Sequence, residues 1–178
     1  ILKGVIVAVL VSMLLVVRRA AHPHVAVLGR IPGARSFSDL ERHAENEAVP
    51  QVLVVRPEAS LLYFNVEHVR ETIRHWIDTA PEPVRLVICD LSASPVVDLA
   101  GARMLAALHA ALRPSGTALK LVGAHADVRD MLRAAGLEDH VGPIGRLASV
   151  ADLIDAFEAR AGGADGIDDA KLAPRPAA

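Results

Sequence analysis

The sequence predicts an α/β fold with a mixed, partly parallel sheet of about five strands and about four to five helices. Two observations carry this prediction. From Gln51 onward, short β-branched runs alternate with segments whose apolar residues recur every three or four positions. Residues 84–91, VRLVICDL, are almost continuously apolar, as in a strand that helices cover on both faces. These residues are predicted to form the centre of the sheet.

A long apolar segment precedes this region. Residues 4–17, GVIVAVLVSMLLVV, are apolar apart from Ser12, and Arg18 and Arg19 follow directly. Because basic residues that flank a span are retained on the cytoplasmic side, residues 1–19 are predicted to be the end of a transmembrane helix. The segment is shorter than the roughly 20 residues of a complete span, and the chain begins with Ile1, so we expect a fragment of a longer protein.

Two alternatives exist for this segment. A buried or interfacial helix is equally apolar over this length. A signal peptide also has an apolar centre, but its basic residues precede that centre, whereas here they follow it. The position of the basic pair therefore favours a membrane helix that ends at a cytoplasmic junction.

The first part of the following domain contains two predicted strands. Residues 25–31, VAVLGRI, and residues 51–56, QVLVVR, are rich in β-branched side chains and are each followed by proline. Between them, residues 36–48 are polar and predict a surface excursion or a short helix. Residues 61–64 continue the extended path. We expect this N-terminal strand pair to run antiparallel to the other strands, which makes the sheet mixed.

Four segments have the apolar periodicity of amphipathic helices. Asn65 and Asp98 are predicted N-caps of the first two. Gly136 occupies the C-cap position of the third, and Ser149 and Asp152 have the spacing of a capping box before the fourth. The apolar residues of these helices include Val66, Val69, Ile73, Trp76, Ile77, Leu99, Met104, Leu105, Leu108, Leu112, Val128, Leu132, Val150, Leu153, Ile154 and Phe157.

Two further strands and a tail complete the prediction. Residues 118–122 form a strand, and residues 141–144 form a short edge strand. Residues 162–178 contain too little apolar surface to order themselves and are predicted to be disordered. The domain between the membrane helix and this tail is therefore residues 20–161.

The composition excludes several classes of function. Aromatic residues make up only 3% of the chain, and 19 basic residues against 21 acidic ones leave no positive excess, which argues against nucleic-acid binding. The single cysteine, Cys89, lies in the predicted central strand and suits core packing rather than catalysis. Walker, GxGxxG, HExxH and GxSxG motifs are absent, and the histidines are scattered. We predict no cofactor, no metal site and no enzymatic activity.

One loop remains as a candidate site. Asp90 ends the central strand and Asp98 begins the next helix, at the edge where open α/β sheets bind ligands. Both carboxylates also have ordinary structural roles, as an acceptor for loop amides and as an N-cap. Ser92 and Ser94 are candidates for phosphorylation near a helix N-terminus, and loop hydrogen bonding is the alternative.

The sequence from this loop resembles a known family. Residues 84–112, VRLVICDLSASPVVDLAGARMLAALHAAL, are similar to the signature of the STAS domain, which sulfate transporters share with anti-sigma-factor antagonists. Residues 28–73, with an arginine-proline strand end followed by LLYFN, resemble the linker and first STAS elements of the SulP anion transporters. In that family a last membrane helix enters the cytoplasm through a basic junction, and residues 4–19 occupy that place.

The resemblance implies a regulatory and assembly domain of a secondary-active transporter for sulfate or a similar small anion such as bicarbonate. The protein would lie in the bacterial inner membrane with this domain in the cytoplasm. The implied partners are the transmembrane domain of the same transporter and a second copy of the chain. The implied partner or regulatory surface comprises Asp90, Ser92, Ser94, Asp98, Leu99, Ala100 and Gly101.

A second reading is a stand-alone partner-switching protein related to the anti-sigma-factor antagonists. In those proteins the helix begins Asp-Ser-Ser-Gly, and the first serine is phosphorylated. Here Asp98 and Gly101 match, but Leu99 and Ala100 stand between them and have no hydroxyl group. Phosphorylation at that position is therefore chemically excluded. Nucleotide binding, reported for some STAS domains, has no motif support in this chain.

Overall fold

Five strands form one mixed sheet in the computed structural model, which describes residues 2–161. The predicted disordered tail, residues 162–178, lies outside the described residues. The spatial order is β2-β1-β3-β4-β5, in which β1 pairs antiparallel with β2 and β3, and β3, β4 and β5 are parallel. The strands are β1 Val25–Arg30, β2 Phe37–Asp39, β3 Val52–Pro57, β4 Leu86–Asp90 and β5 Ala118–Val122.

Six α-helices accompany these strands within the described part of the chain. A short 3₁₀ turn, Arg113–Ser115, follows the third of them and ends at Gly116, whose φ of 71° requires glycine. The helices are α1 Leu2–Ala21, α2 Val66–Asp78, α3 Leu99–Leu112, α4 Ala126–Ala134, α5 Glu138–Val141 and α6 Val150–Ala161.

The sheet is covered on both faces, as the apolar run in β4 predicts. Because successive strand residues point to opposite faces, Val87 and Cys89 enter one core and Leu86 and Ile88 enter the other. The larger core lies beneath α2, α3, α4 and α5. The smaller core lies beneath α6, which contributes residues such as Phe157.

The predicted mixed sheet is confirmed, with two differences in detail. The predicted N-terminal strand pair corresponds to β1 and β3. Only β1 runs antiparallel to its neighbours, since β3 runs parallel to β4. The middle strand is β3 rather than β4, although β4 is flanked on both sides and fully buried. The shift arises because the polar stretch 36–48 contains β2, which adds a strand outside β1. Three residues are too few for the alternation that reveals a strand in a sequence.

The predicted edge strand at residues 141–144 is wrong. Val141 ends the one-turn helix α5, and Gly142 follows with a φ of 83°. Val141 and Ile144 are buried in the larger core, and the carbonyl of Val141 accepts a hydrogen bond from Lys120 Nζ at 2.9 Å. Their apolar side chains thus serve helix packing on the sheet face rather than strand pairing.

The predicted helix caps are mostly confirmed. Asp98 caps α3 by accepting from the Gly101 amide at 2.8 Å. Ser149 Oγ accepts from the Asp152 amide and donates to its carboxylate, which is the capping interaction predicted for α6. Asn65 precedes α2, but its side chain makes no cap hydrogen bond to that helix.

The first helix stands apart from the domain core. α1 has 20 residues. Its segment Lys3–Ala21 has a mean hydropathy of 2.1, and this apolar stretch is not buried in the protein. By length and composition it is able to cross a membrane. It extends through Arg18 and Arg19 in its last turn and leads, after a three-residue connection, into β1.

Cys89 gives a test of the packing at the centre of the sheet. Burial raises the pKa of its thiol to about 12, and the neighbouring Asp90 carboxylate adds to the shift. An unfolded thiol ionises near pH 8.5, so above that pH the unfolded state holds fewer protons than the folded state. We therefore expect the free energy of unfolding to fall by up to about 1.4 kcal/mol per pH unit between those two pKa values because of this group.

The measurement is urea denaturation across that pH range, with Cys89→Ala as the matched control that removes this contribution. Iodoacetamide should also modify the thiol only after unfolding, because the folded state keeps it protonated and buried. Equal slopes of unfolding free energy against pH in both proteins would contradict the prediction.

Candidate partner loop and membrane junction

The candidate site lies where the parallel strands β3 and β4 end and helices α2 and α3 begin. We call residues 90–101 the partner loop, because the sequence places all seven predicted partner-surface residues within it. In this fold the carboxyl ends of parallel strands meet at one edge of the sheet, which is where loops of variable chemistry gather. The structure therefore brings the seven residues into one region, and it gives them different roles.

Asp90 is a buried anchor rather than an exposed ligand group. Its Oδ2 accepts two hydrogen bonds from Arg56, from Nε at 2.9 Å and from Nη2 at 2.7 Å. Its Oδ1 accepts from the Ser92 amide at 2.9 Å. A Cβ at Gly123, whose φ is 70°, would lie 2.5 Å from this oxygen, so the carboxylate fits only because that residue is glycine. Both oxygens are thus engaged in holding β3, β4 and the loop together.

The two serines differ in access. Ser94 is buried, and its hydroxyl donates to the carbonyl of Ala59 at 2.8 Å and contacts that of Pro57 at 3.3 Å. Its side chain ties the loop to the segment after β3 and is closed to a partner. Ser92 is exposed, and its carbonyl lies 3.2 Å from His125 Nε2. Of the two candidates, only Ser92 presents its side chain to solvent.

Asp98 joins two loops by using both of its carboxylate oxygens. Oδ1 caps α3, and Oδ2 accepts from the Tyr63 amide at 2.9 Å. Two backbone hydrogen bonds run beside it, from the Leu61 amide to the Val96 carbonyl and from the Asp98 amide to the Leu61 carbonyl. The residues around Leu61 therefore form one rigid unit with the start of α3, although about 35 residues separate them in sequence.

Gly101 allows this close approach. A Cβ at this position would lie 2.8 Å from the Leu61 carbonyl oxygen and 2.8 Å from a methyl group of Val97. The glycine is thus a packing requirement of the loop contact. Leu99 remains exposed at 47% and Ala100 is half-buried, so neither supports the loop internally.

Four exposed apolar residues lie in the two segments that these hydrogen bonds join. Val96 and Leu99 belong to the partner loop, and Tyr63 and Phe64 belong to the adjoining segment. The rings of Tyr63 and Phe64 lie perpendicular with centroids 5.4 Å apart. We call these four residues the apolar patch.

The predicted membrane junction lies beside the same segment. Asn65 is buried, and its Nδ2 donates to the Ser60 carbonyl at 2.9 Å and approaches the Ala20 carbonyl of α1 at 3.4 Å. The rings of His22 and His68 meet edge to face at 4.9 Å. These contacts attach the end of α1, directly after Arg18 and Arg19, to the N-terminus of α2.

The described residues contain no cluster of three or more potential metal-ligating groups. A cavity of about 390 Å³ lies elsewhere, between the β1 and β3 strands and the end of α2. Its lining is mainly apolar and includes Val27, Val52 and Trp76. It lacks the paired carboxylates or the glycine-rich amide cradle of a catalytic or nucleotide site.

Two features of this region could not be predicted from the sequence alone. The Arg56 partner of Asp90 was visible only as the arginine-proline end of a strand, and the pairing needs the parallel register of β3 and β4. The exposed rings of Tyr63 and Phe64 carried the signal of two aromatics in a chain that has few, but their exposure depends on how the loops pack.

Comparisons with known proteins agree with this architecture. The model of the STAS domain family matches residues 43–151. Proteins named "Probable sulfate transporter" in two Mycobacterium tuberculosis strains are 31% identical over 157 residues, covering 88% of this chain and 28% of the relative. The "Low affinity sulfate transporter 3" of Stylosanthes hamata is 29% identical over 86% of this chain and 25% of its own length. The chain thus spans about a quarter of the length of these relatives.

Solved structures share the fold. The murine Solute Carrier 26 family member A9 anion transporter superposes with a TM-score of 0.71 at 23% identity, over 89% of this chain and 26% of that one. The STAS domain of a SulP transporter from Vibrio cholerae gives 0.53 at 21% identity, over 68% and 94%. The anti-sigma factor antagonist SpoIIAA gives 0.53 at 21% identity, over 64% and 95%. At these identities the likeness concerns the fold alone.

The Arg56–Asp90 pair should contribute strongly to stability. We expect Asp90→Ala to lower the free energy of unfolding by about 2–4 kcal/mol, because it removes a buried carboxylate and leaves the half-buried Arg56 guanidinium and the Ser92 amide without their acceptor. The matched control is Asp155→Ala, which removes an ion pair with the same 2.7 Å separation, to Arg35, at the exposed surface. That change should cost less than about 1 kcal/mol. Chemical denaturation measures both, and similar losses would contradict the prediction.

Asp98 provides a second test, of the link between the two loops. Asp98→Ala removes the acceptors for both the Gly101 and Tyr63 amides and should cost about 1–3 kcal/mol of unfolding free energy. Asp98→Asn retains one acceptor oxygen and should cost less. Amide hydrogen exchange of Tyr63 should accelerate in both variants, and that of Gly101 mainly in the alanine variant. Unchanged exchange at Tyr63 in either variant would show that the link does not hold the loop.

Proposed function

The chain belongs to the STAS domain family, and on this premise we propose that it is the cytoplasmic regulatory and assembly domain of a secondary-active anion transporter. The proposed cargo of the whole transporter is sulfate or a similar small anion such as bicarbonate. The curated relatives named above are transporters rather than enzymes, which fits a non-enzymatic role for this domain.

The observation that carries the proposal is the direct connection of α1 to the STAS fold. α1 is apolar along most of its length and is not buried in the protein. The basic pair Arg18 and Arg19 lies in its last turn. Such a helix is typical of a membrane span, and its basic end favours the cytoplasmic side. We propose that this membrane is the bacterial inner membrane, with residues 20–161 below it.

The two carboxylates of the partner loop are engaged in structural hydrogen bonds. Asp90 and Asp98 use their oxygens for the Arg56 pair and for backbone amides. Secondary transporters bind their substrate between membrane helices near the bilayer midplane, often at interrupted helices. Anion binding therefore belongs in this proposal to the membrane portion of the transporter, and this domain supports its folding, assembly and regulation.

The proposed partners are the transmembrane domain of the same transporter and a second copy of the chain. The three-residue link between α1 and β1 supports the first of these partners, because it holds the domain directly beside the membrane portion. A phosphorylation switch at the start of α3 is not part of the proposal, since Leu99 and Ala100 carry no hydroxyl group.

The test is uptake of labelled sulfate by cells that express the transporter with this domain. We expect deletion of residues 25–160 to reduce uptake, surface expression and dimerisation, because the membrane portion loses its cytoplasmic support. The matched control is deletion of residues 162–178, which should leave all three unchanged. Normal expression, dimerisation and uptake after the larger deletion would refute the assembly role. The reading frame that contains this chain should also encode further long apolar segments.

A further inference from the structure

We propose that the apolar patch, Tyr63, Phe64, Val96 and Leu99, lies in the lipid headgroup layer next to α1. The partner of this surface would thus be the membrane itself, with anionic headgroups beside Arg18 and Arg19. This inference rests on the proposed function, since it requires α1 to be inserted in the bilayer.

Exposed apolar side chains concentrate at this place. Outside α1, six large hydrophobic residues of the described chain are exposed, and four of them form the patch. The other two are Met131 and Leu147. Single exposed apolar residues are ordinary on a protein surface, whereas a contiguous group indicates a contact surface.

Hydrogen bonds join the two loops that carry the patch. The Leu61 amide donates to the Val96 carbonyl at 2.9 Å, and the Tyr63 amide donates to Asp98 at 2.9 Å. These bonds hold the ring pair beside the start of α3, where Leu99 is the first residue. The four side chains therefore share one rigid base and do not depend on a mobile loop for their arrangement.

The patch lies near the end of α1. Asn65, the residue after Phe64, approaches the carbonyl of Ala20, the residue after Arg19. Phe64 is adjacent to Asn65 along the chain, so it lies near the last turn of α1. The headgroup layer is roughly 5–7 Å thick on each side of the bilayer. In the proposal the two rings lie in that layer, because Asn65 beside them contacts the last turn of α1 directly after the basic pair.

The chemistry of the patch suits lipid headgroups. Aromatic side chains are enriched at membrane interfaces because an apolar ring and a polar tip match the boundary between acyl chains and water, and Tyr63 has both. Arg18 and Arg19 add positive charge that attracts anionic lipids. An exposed aromatic and aliphatic surface beside a basic pair therefore suits the boundary of an anionic bilayer.

Lipid-specific fluorescence quenching tests the proposal on the whole chain in vesicles of phosphatidylcholine with a minority of phosphatidylglycerol. Trp76→Phe removes the single native tryptophan, and Tyr63→Trp then places the reporter in the patch. We expect nitroxide on the lipid headgroups to quench this tryptophan several-fold more than one at Leu147. Phe64→Trp serves as a second reporter if the first variant folds poorly.

Leu147→Trp is the matched control, since Leu147 is also a large exposed hydrophobic residue, with 67% of its surface accessible. It precedes α6, whose Asp152 pairs with Arg35 beyond the far end of β1, away from α1. Leu14→Trp, in α1, reports insertion of the helix and should be quenched by lipids brominated in their acyl chains.

The outcomes separate the two proposals. Quenching at Leu14→Trp without quenching at Tyr63→Trp would overturn the lipid contact and leave the membrane helix intact. Absence of quenching at both would overturn the membrane insertion and the lipid contact together. A tryptophan at position 63 that is shielded from aqueous acrylamide but unquenched by lipid would show that protein, such as a second copy, covers the patch instead.

Discussion

The ion pair between Arg56 and Asp90 is the constraint on which the arrangement of the site depends. Arg56 lies next to the end of β3 and Asp90 ends β4, so the pair fixes the two parallel strands at the edge from which the loops leave. The second oxygen of Asp90 directs the chain through the Ser92 amide. Because this carboxylate is buried, its hydrogen bonds are strong only while all of them are made.

This anchored edge supports a second layer of contacts. Ser94 and Asp98 connect the partner loop to the segment that follows β3, and Gly101 lets that segment approach α3 closely. Asp90, Ser94 and Asp98 use their polar atoms within the fold, Ser92 stays exposed, and the apolar side chains of the patch face outward. A catalytic site would need the opposite distribution, with polar groups free to meet a substrate. This distribution supports the proposal that the loop is a contact surface.

The connection between α1 and the domain is narrow by comparison. It consists of the short link into β1, the approach of Asn65 to Ala20 and the ring contact between His22 and His68. Such a connection fixes the distance between the domain and the end of α1. It fixes the tilt of the domain relative to α1 less firmly. Contact between the surrounding lipid and the exposed aromatic side chains next to this connection would restrict the tilt of the domain.

The sequence by itself determined the features that depend on neighbours along the chain. The apolar periodicity, the Asp98 cap, the Ser149 cap and the apolar composition of α1 all follow from residues a few positions apart. Only the tertiary structure decided the addition of β2, the helical form of Val141, the structural use of Asn65 and the Arg56–Asp90 pair. Those features depend on contacts between segments distant in sequence, whose geometry is set when the sheet assembles and the cores fill.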